Sequence, residues 1–368
     1  MADIVVKNLS KKFGTFTAVH ASSFTVHDGE FFMLLGPSGC GKTTSLRMIA
    51  GLELPTEGEI WLDGEEVSHR PARQRDIAFV FQMFALYPHM NVRRNLSYSL
   101  VSQGWGRARV KERVGEVARI LKIEGILDRP VGGLSAGDRQ RVALGRAIVR
   151  EPKAFMMDEP LGALDTEFRE HMAEELRALH DRMGATTVYV THDQLEAMQM
   201  GDRIAVMNQG IVEQIGKPQE VYDHPATMFV AGFLGSPAMA FLPFEGTVAP
   251  GASTVRVGDT DIALPALREA ANGRIVLGVR PEHVSLASEG AVRGVVLASE
   301  YLGMEEVVTV RTAYGDIRAR TAPGRFARVG EPVGLSFAAA ALSLFDEASG
   351  RAFLTEANET VLTGAVHG

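Results

Sequence analysis

A single cysteine, Cys40, stands in 368 residues, so the chain holds no internal disulfide. Long apolar runs are also missing. The longest nearly apolar stretch, VGLSFAAAALSLF at 333–345, is thirteen residues interrupted by a glycine and two serines, well short of the roughly 20 that a membrane-spanning helix needs. The opening MADIVVKNLSKKF lacks the apolar core of a signal peptide, so the chain is expected to be cytosolic and to reach a membrane only through a partner. Charge of one dominant sign is absent too. The net charge is -7, with 30 acidic against 27 basic residues through Gly235 and 15 against 11 beyond it, and no basic footprint for nucleic acid. No lysine follows Lys217, which hints at a boundary, and no low-complexity tract or solenoid period is found. What is present is ordinary for two or three globular domains: 46% hydrophobic and 23% charged residues.

To about residue 235, short apolar strands (EFFMLL, DIAFVF, KAFMM, TTVYV) alternate with amphipathic helical stretches, the pattern of an α/β fold with a parallel sheet. Residues 91–150 break this rhythm. They carry helical periodicity, as in RARVKERVGEVARILKI, and read as a helical insertion. Beyond GSPAMAFLP, alternating runs such as GRIVLGVR, VRGVVLAS and EEVVTVRTAYGDIRAR, separated by Gly and Pro turns, predict a small all-β barrel or sandwich over 236–368.

The strongest chemical signal is EFFMLLGPSGCGKTTSLRMIAG, in which Gly36-x4-Gly41-Lys42-Thr43 follows an apolar strand and opens a helix. A phosphate loop needs this arrangement: glycines allow close backbone approach, helix amides supply positive charge, Lys42 reaches outer phosphates and Thr43 holds magnesium. AFMMDEP ends a strand in Asp158 and Glu159; one carboxylate can position Mg2+ while its neighbour deprotonates water. Alone that pair reads more readily as an acidic strand end, a balance that reverses beside a phosphate loop; His192 after TTVYVT is placed to contact a terminal phosphate, although a lone histidine there is more often an ordinary strand-end residue.

In this order and spacing, the elements resemble the nucleotide-binding domain of an ABC transporter over essentially all of residues 1–235. The resemblance implies a P-loop NTPase cassette that binds ATP with Mg2+. It assigns the phosphate loop to Gly36, Pro37, Ser38, Gly39, Cys40, Gly41, Lys42, Thr43 and Thr44. Phe13 becomes the face that stacks on adenine, with Phe16 nearby. Gln82 joins Thr43 and Asp158 around the metal, Glu159 is the catalytic base, His192 meets the γ-phosphate, and Asp165 lies in a loop crossing to a second subunit. LSAGD is then the signature segment, whose Ser135 and Gly137 serve a nucleotide held by the opposite copy, so that two chains sandwich two ATP molecules.

This segment departs from the common form at Ala136 and Asp138. Ser135-x-x-Asp138 has the spacing of a capping box, so its carboxylate either caps the following helix or repels a bound phosphate. Further segments (FQMFALYPHMNVRRNL, IGKPQEVYDHPATMFVAGFLGSP, LGVRPEHV, YLGMEEVVTV) resemble the ATPase subunits of carbohydrate importers of the maltose and glycerol-phosphate type. That implies membrane permease subunits as partners, a second copy or a related ATPase, an extracytoplasmic solute-binding protein indirectly, and a place on the cytoplasmic face of the inner membrane. It also implies an OB-like tail that extends the dimer contact and binds regulators. Ala240, where the family usually has asparagine, leaves the related polyamine, iron and sulfate importers open. Two other readings are a soluble repair or translation ATPase, which would carry two cassettes or long arms, and a regulatory subunit, against which the complete motif set stands.

Overall fold

Three strands in which every residue is buried, Phe31–Leu35, Ala154–Asp158 and Thr186–Thr191, form the centre of the first unit. Such continuous burial is what a parallel sheet covered on both faces requires, and it explains why these segments read as unbroken apolar runs. The computed structural model describes residues 2–365 except 83–84, 163, 165 and 324–327, with the backbone alone at 168 and 365. The parallel strands lie in the order Arg203–Asn208, Phe31–Leu35, Thr186–Thr191, Ala154–Asp158, Ile77–Val80. The order jumps along the sequence, so the loops after Leu35, Val80, Asp158 and Thr191 emerge together at the carboxyl edge, where open α/β sheets bind ligands.

An antiparallel sheet, Phe16–Val26, Ile4–Phe13, Glu57–Leu62 and Glu65–Glu66, completes this half. Its hairpin turns at Gly14 (φ 58°) and sets Phe13 opposite Phe16. Residues 91–150 form the helices Val92–Ser102, Arg107–Ile120 and Ala136–Ile148, with no strand among the described residues of this span.

The helix Lys42–Ala50 is held at its far end by a fully buried arginine. Arg75 donates through Nη1 to the carbonyls of Met48 (2.7 Å) and Ile49 (2.8 Å), through Nη2 to Ser68 (3.0 Å) and through Nε to Arg70 (2.8 Å). Burial draws its pKa down to about 10, so the guanidinium stays charged at neutral pH against the negative end of the helix dipole.

The chain divides into two compact units after Val212, inside the strand Ile211–Gly216 and upstream of the expected cut at Gly235. The reason lies in the helices Pro218–Asp223 and Met228–Phe233. Arg280, 2% exposed, donates to the carbonyls of Tyr222 (3.0 Å from Nε) and Leu234 (2.8 Å), and Ala231 packs with Met239, Val276, Phe345 and Ala352. The remainder of this unit is mainly β, as the alternation predicts, but it ends in a short helix, Glu359–Ala365, which the all-β expectation lacks and whose Leu362 packs into the cluster around Ala231. A five-stranded antiparallel sheet runs from Val284–Ala287 through Pro332–Phe337, Val292–Tyr301 and Glu306–Thr312 to Gly315–Thr321. A three-stranded sheet of Ala240–Val248, Ala271–Val279 and Ser343–Asp346 joins the same apolar core.

Candidate active site

The phosphate loop turns from strand Phe31–Leu35 into helix Lys42–Ala50. Gly36 and Gly41 are required there by neighbouring backbone: a Cβ would meet the Met207 carbonyl at 2.3 Å at the first and the Ala18 carbonyl at 2.6 Å at the second, where φ is also 102°. Gly41 is the N-cap and offers no side chain to the amides that open the helix, which leaves them for an anion. Lys42 Nζ donates to the carbonyls of Gly36 (2.8 Å) and Pro37 (2.9 Å) and lies 3.8 Å from Cys40 Sγ. Cys40 itself is buried, and burial raises its pKa, so it is a packed thiol behind the loop.

Phe13, Ser38, Gly39, Lys42, Thr44 and Glu159 share one cleft of about 260 Å3, together with Phe16, Ala18, Gly41 and Thr43. Phe13 and Phe16 are 48% and 63% exposed, so a flat aromatic face is available at its rim. Lys11 Nζ lies 4.8 Å from the centre of the Phe13 ring.

Thr43 Oγ1 donates to Asp158 Oδ1 at 2.7 Å, joining helix to strand. Asp158 is buried, and that burial raises its pKa against the counteracting Thr43 hydrogen bond. A buried carboxylate beside a hydroxyl, both hard oxygen donors, fits Mg2+. No cluster of three or more His, Cys, Asp or Glu suited to a metal exists among the described residues, and Mg2+ with a nucleotide needs only one or two carboxylates plus phosphates.

Glu159 follows at φ 45°, a conformation rarely adopted by a residue with a side chain, and its amide donates to the Val190 carbonyl (3.0 Å). Its Oε2 receives Gln82 Nε2 at 3.3 Å and faces His192 Nδ1 at 3.3 Å. Three strand ends therefore converge on one carboxylate oxygen. Ser135 and Gly137 do not line this cleft. Ser135 Oγ accepts the Asp138 amide (3.1 Å) and caps the helix, but the Asp138 carboxylate makes an ion pair with Arg141 Nη1 (3.4 Å), so only half of a capping box forms. Asp165 falls outside the described residues.

Residues 19–162 match the ABC transporter family, residues 235–284 a MalK OB fold domain and residues 277–345 a TOBE domain. The chain is 44% identical over 357 residues to the sn-glycerol-3-phosphate import ATP-binding protein UgpC of Escherichia coli (strain K12), covering 95% of this chain and 99% of that protein. It is also 44% identical over 374 residues to the trehalose/maltose import ATP-binding protein MalK of Thermococcus litoralis, covering 96% and 100%. The chain belongs to the ABC transporter ATP-binding family. A solved dimeric ABC transporter cassette, MJ0796, superposes with a TM-score of 0.53 at 33% identity, over 58% of this chain and 98% of that one, and another of its structures is a post-hydrolysis state bound to ADP and Pi. This cassette is an ATPase that uses ATP with Mg2+, and it works with membrane permease subunits. None of the cassette's described helices is long and apolar enough to cross a membrane.

The residues that the structure brings together here, Thr43, Asp158, Gln82, Glu159 and His192, each stand in a sequence motif. Arg169, Asp193 and Glu196, which fix the turn around His192, were not singled out; the available signal was Asp193 in THDQLE, an N-cap residue at a helix start.

Proposed function

We propose that this chain is the motor of an importer for a carbohydrate or polyol, placed at the cytoplasmic face of the membrane by its permease. The reading is supported by near-complete mutual coverage with glycerol-phosphate and trehalose/maltose import ATP-binding proteins, tail included.

Lys42 and the opening amides of its helix bind the outer phosphates, and Phe13 stacks on adenine. Thr43, Asp158 and Gln82 would hold Mg2+, which would neutralise phosphate charge when bound. Glu159 takes a proton from the attacking water as its oxygen bonds to the γ-phosphorus and the bond to ADP breaks, giving ADP and phosphate. His192 orients this carboxylate and the terminal phosphate. Ser135 and Gly137 close over the nucleotide of a second copy. The observation that carries this assignment is the meeting of Gln82 and His192 on Glu159 Oε2.

Glu159→Gln keeps the shape and loses the basicity, so turnover should fall about 10²- to 10⁴-fold with nucleotide affinity retained. Near-normal turnover would remove Glu159 from this role. Reconstitution with the permease and binding protein, scored by which solutes stimulate ATP turnover, identifies the cargo; stimulation by a polyamine or sulfate alone would refute the carbohydrate class.

A further inference from the structure

Arg169, on the helix Thr166–Met183, reaches two segments that flank the hydrolytic pair. Its Nη2 donates to the carbonyl of Leu164 (3.0 Å), on the loop leading away from Glu159. Its Nη1 donates to Asp193 Oδ2 (3.1 Å), the residue after His192. The other Asp193 oxygen accepts the amides of Leu195 (2.8 Å) and Glu196 (3.3 Å), capping helix Gln194–Met200.

The preceding neighbour of His192 is tied as firmly. Thr191 Oγ1 accepts the Asp193 amide (2.9 Å) and donates to Glu196 Oε2 (2.8 Å), the same oxygen that receives the Tyr189 hydroxyl (2.9 Å). Glu196 is 5% exposed, and Arg169 Nε stands 3.9 Å from its Oε1. His192 is thus the middle residue of a hydroxyl-closed turn, its imidazole half-exposed while both neighbours are fixed. A planar guanidinium suits this task because its fork serves the Leu164 carbonyl and the Asp193 carboxylate at once, which a lysine ammonium does with poorer geometry.

We infer that Arg169 is a positioning residue for hydrolysis: by clamping Asp193 to the Leu164 loop, it sets the His192 imidazole against Glu159 and links that loop to the imidazole. None of the clamp residues lines the nucleotide cleft, so the clamp acts on the chemical step and leaves nucleotide binding alone. The inference rests on the role assigned to His192 above.

The test measures single-turnover ATP hydrolysis and nucleotide affinity on the full chain. Arg169→Met and Asp193→Asn should each slow hydrolysis about 10- to 100-fold, the range expected when a catalytic group is misplaced by about an ångström, with affinity unchanged within about 2-fold. Asp193→Asn keeps the helix cap, so it carries the test should Arg169→Met fail to fold. Arg169→Lys should recover part of the rate. Added to His192→Ala, either change should slow hydrolysis no further, the non-additivity of residues acting through one group. A multiplicative further loss, an equal fall in nucleotide affinity, or wild-type hydrolysis in Asp193→Asn would overturn the clamp. Full activity in His192→Ala would instead overturn the reading of His192 on which it rests.

Discussion

Asp158 is a carboxylate that the apo fold pays to keep. Burial disfavours its charged form, so its pKa rises, and the sign of the linkage follows. The penalty is absent below the ordinary carboxylate range and sets in as pH rises towards and through the elevated value. Asp158→Asn removes the charge but keeps an oxygen to accept from Thr43. We therefore expect the nucleotide-free variant to melt higher at pH 7, by about 2–4 °C for each kcal/mol recovered in a unit of this size, with the gain shrinking as the pH is lowered. Mg2+-dependent turnover should be lost in the same variant. A lower melting temperature at pH 7 would mean that the Thr43 hydrogen bond outweighs burial. The residues of this site were legible because phosphate chemistry fixes both their types and their spacing, as in Gly36 to Thr43. Arg75 and Arg169 were not, because an arginine in a polar stretch reads as solvated surface and its partners, Met48 or Asp193, lie more than twenty positions away.

At the scale of elements, the helix Ala136–Ile148 gives Asp138 a partner that neither sequence reading named. Its carboxylate pairs with Arg141 at 3.4 Å, a cation it shares with Glu175 at 3.6 Å, so the charge near the helix start is compensated in part. An i,i+3 pair of this kind, together with the helix dipole, contributes about 0.5–1 kcal/mol. Asp138→Gln should accordingly lower the melting temperature slightly and leave the ATP concentration for half-maximal turnover within about 2-fold. A marked, salt-sensitive fall in that concentration would restore the electrostatic reading. The central strands were legible from their unbroken apolar runs, and the tail from its alternation. The first antiparallel sheet was not. Register shifts at Val6/Leu9, Leu9/Lys11 and Lys11/Lys12 break the period-two signal in IVVKNLSKKF, leaving a mixed string of apolar and basic residues that matches neither template.

Across the whole molecule, the family match to the OB fold begins at 235, whereas the compact division falls after Val212. The helices between them bury Val221, Val230 and Ala231, the last against the β unit's own residues. A chain ended after Gly235 should bind nucleotide yet expose this apolar face, while one ended after Gly216 removes it. We expect the longer truncation to self-associate more in gel filtration, with equal nucleotide affinity in both; a monodisperse longer form would argue that its helices pack independently of the tail. Arg280 gives the same boundary a bearing on recombination. Because its guanidinium reads the carbonyls of Tyr222 and Leu234, a hybrid of two related importers joined at Gly235 asks one parent's arginine to fit another parent's helix ends, whereas a junction before Glu213 transfers lock and key as a single heritable block.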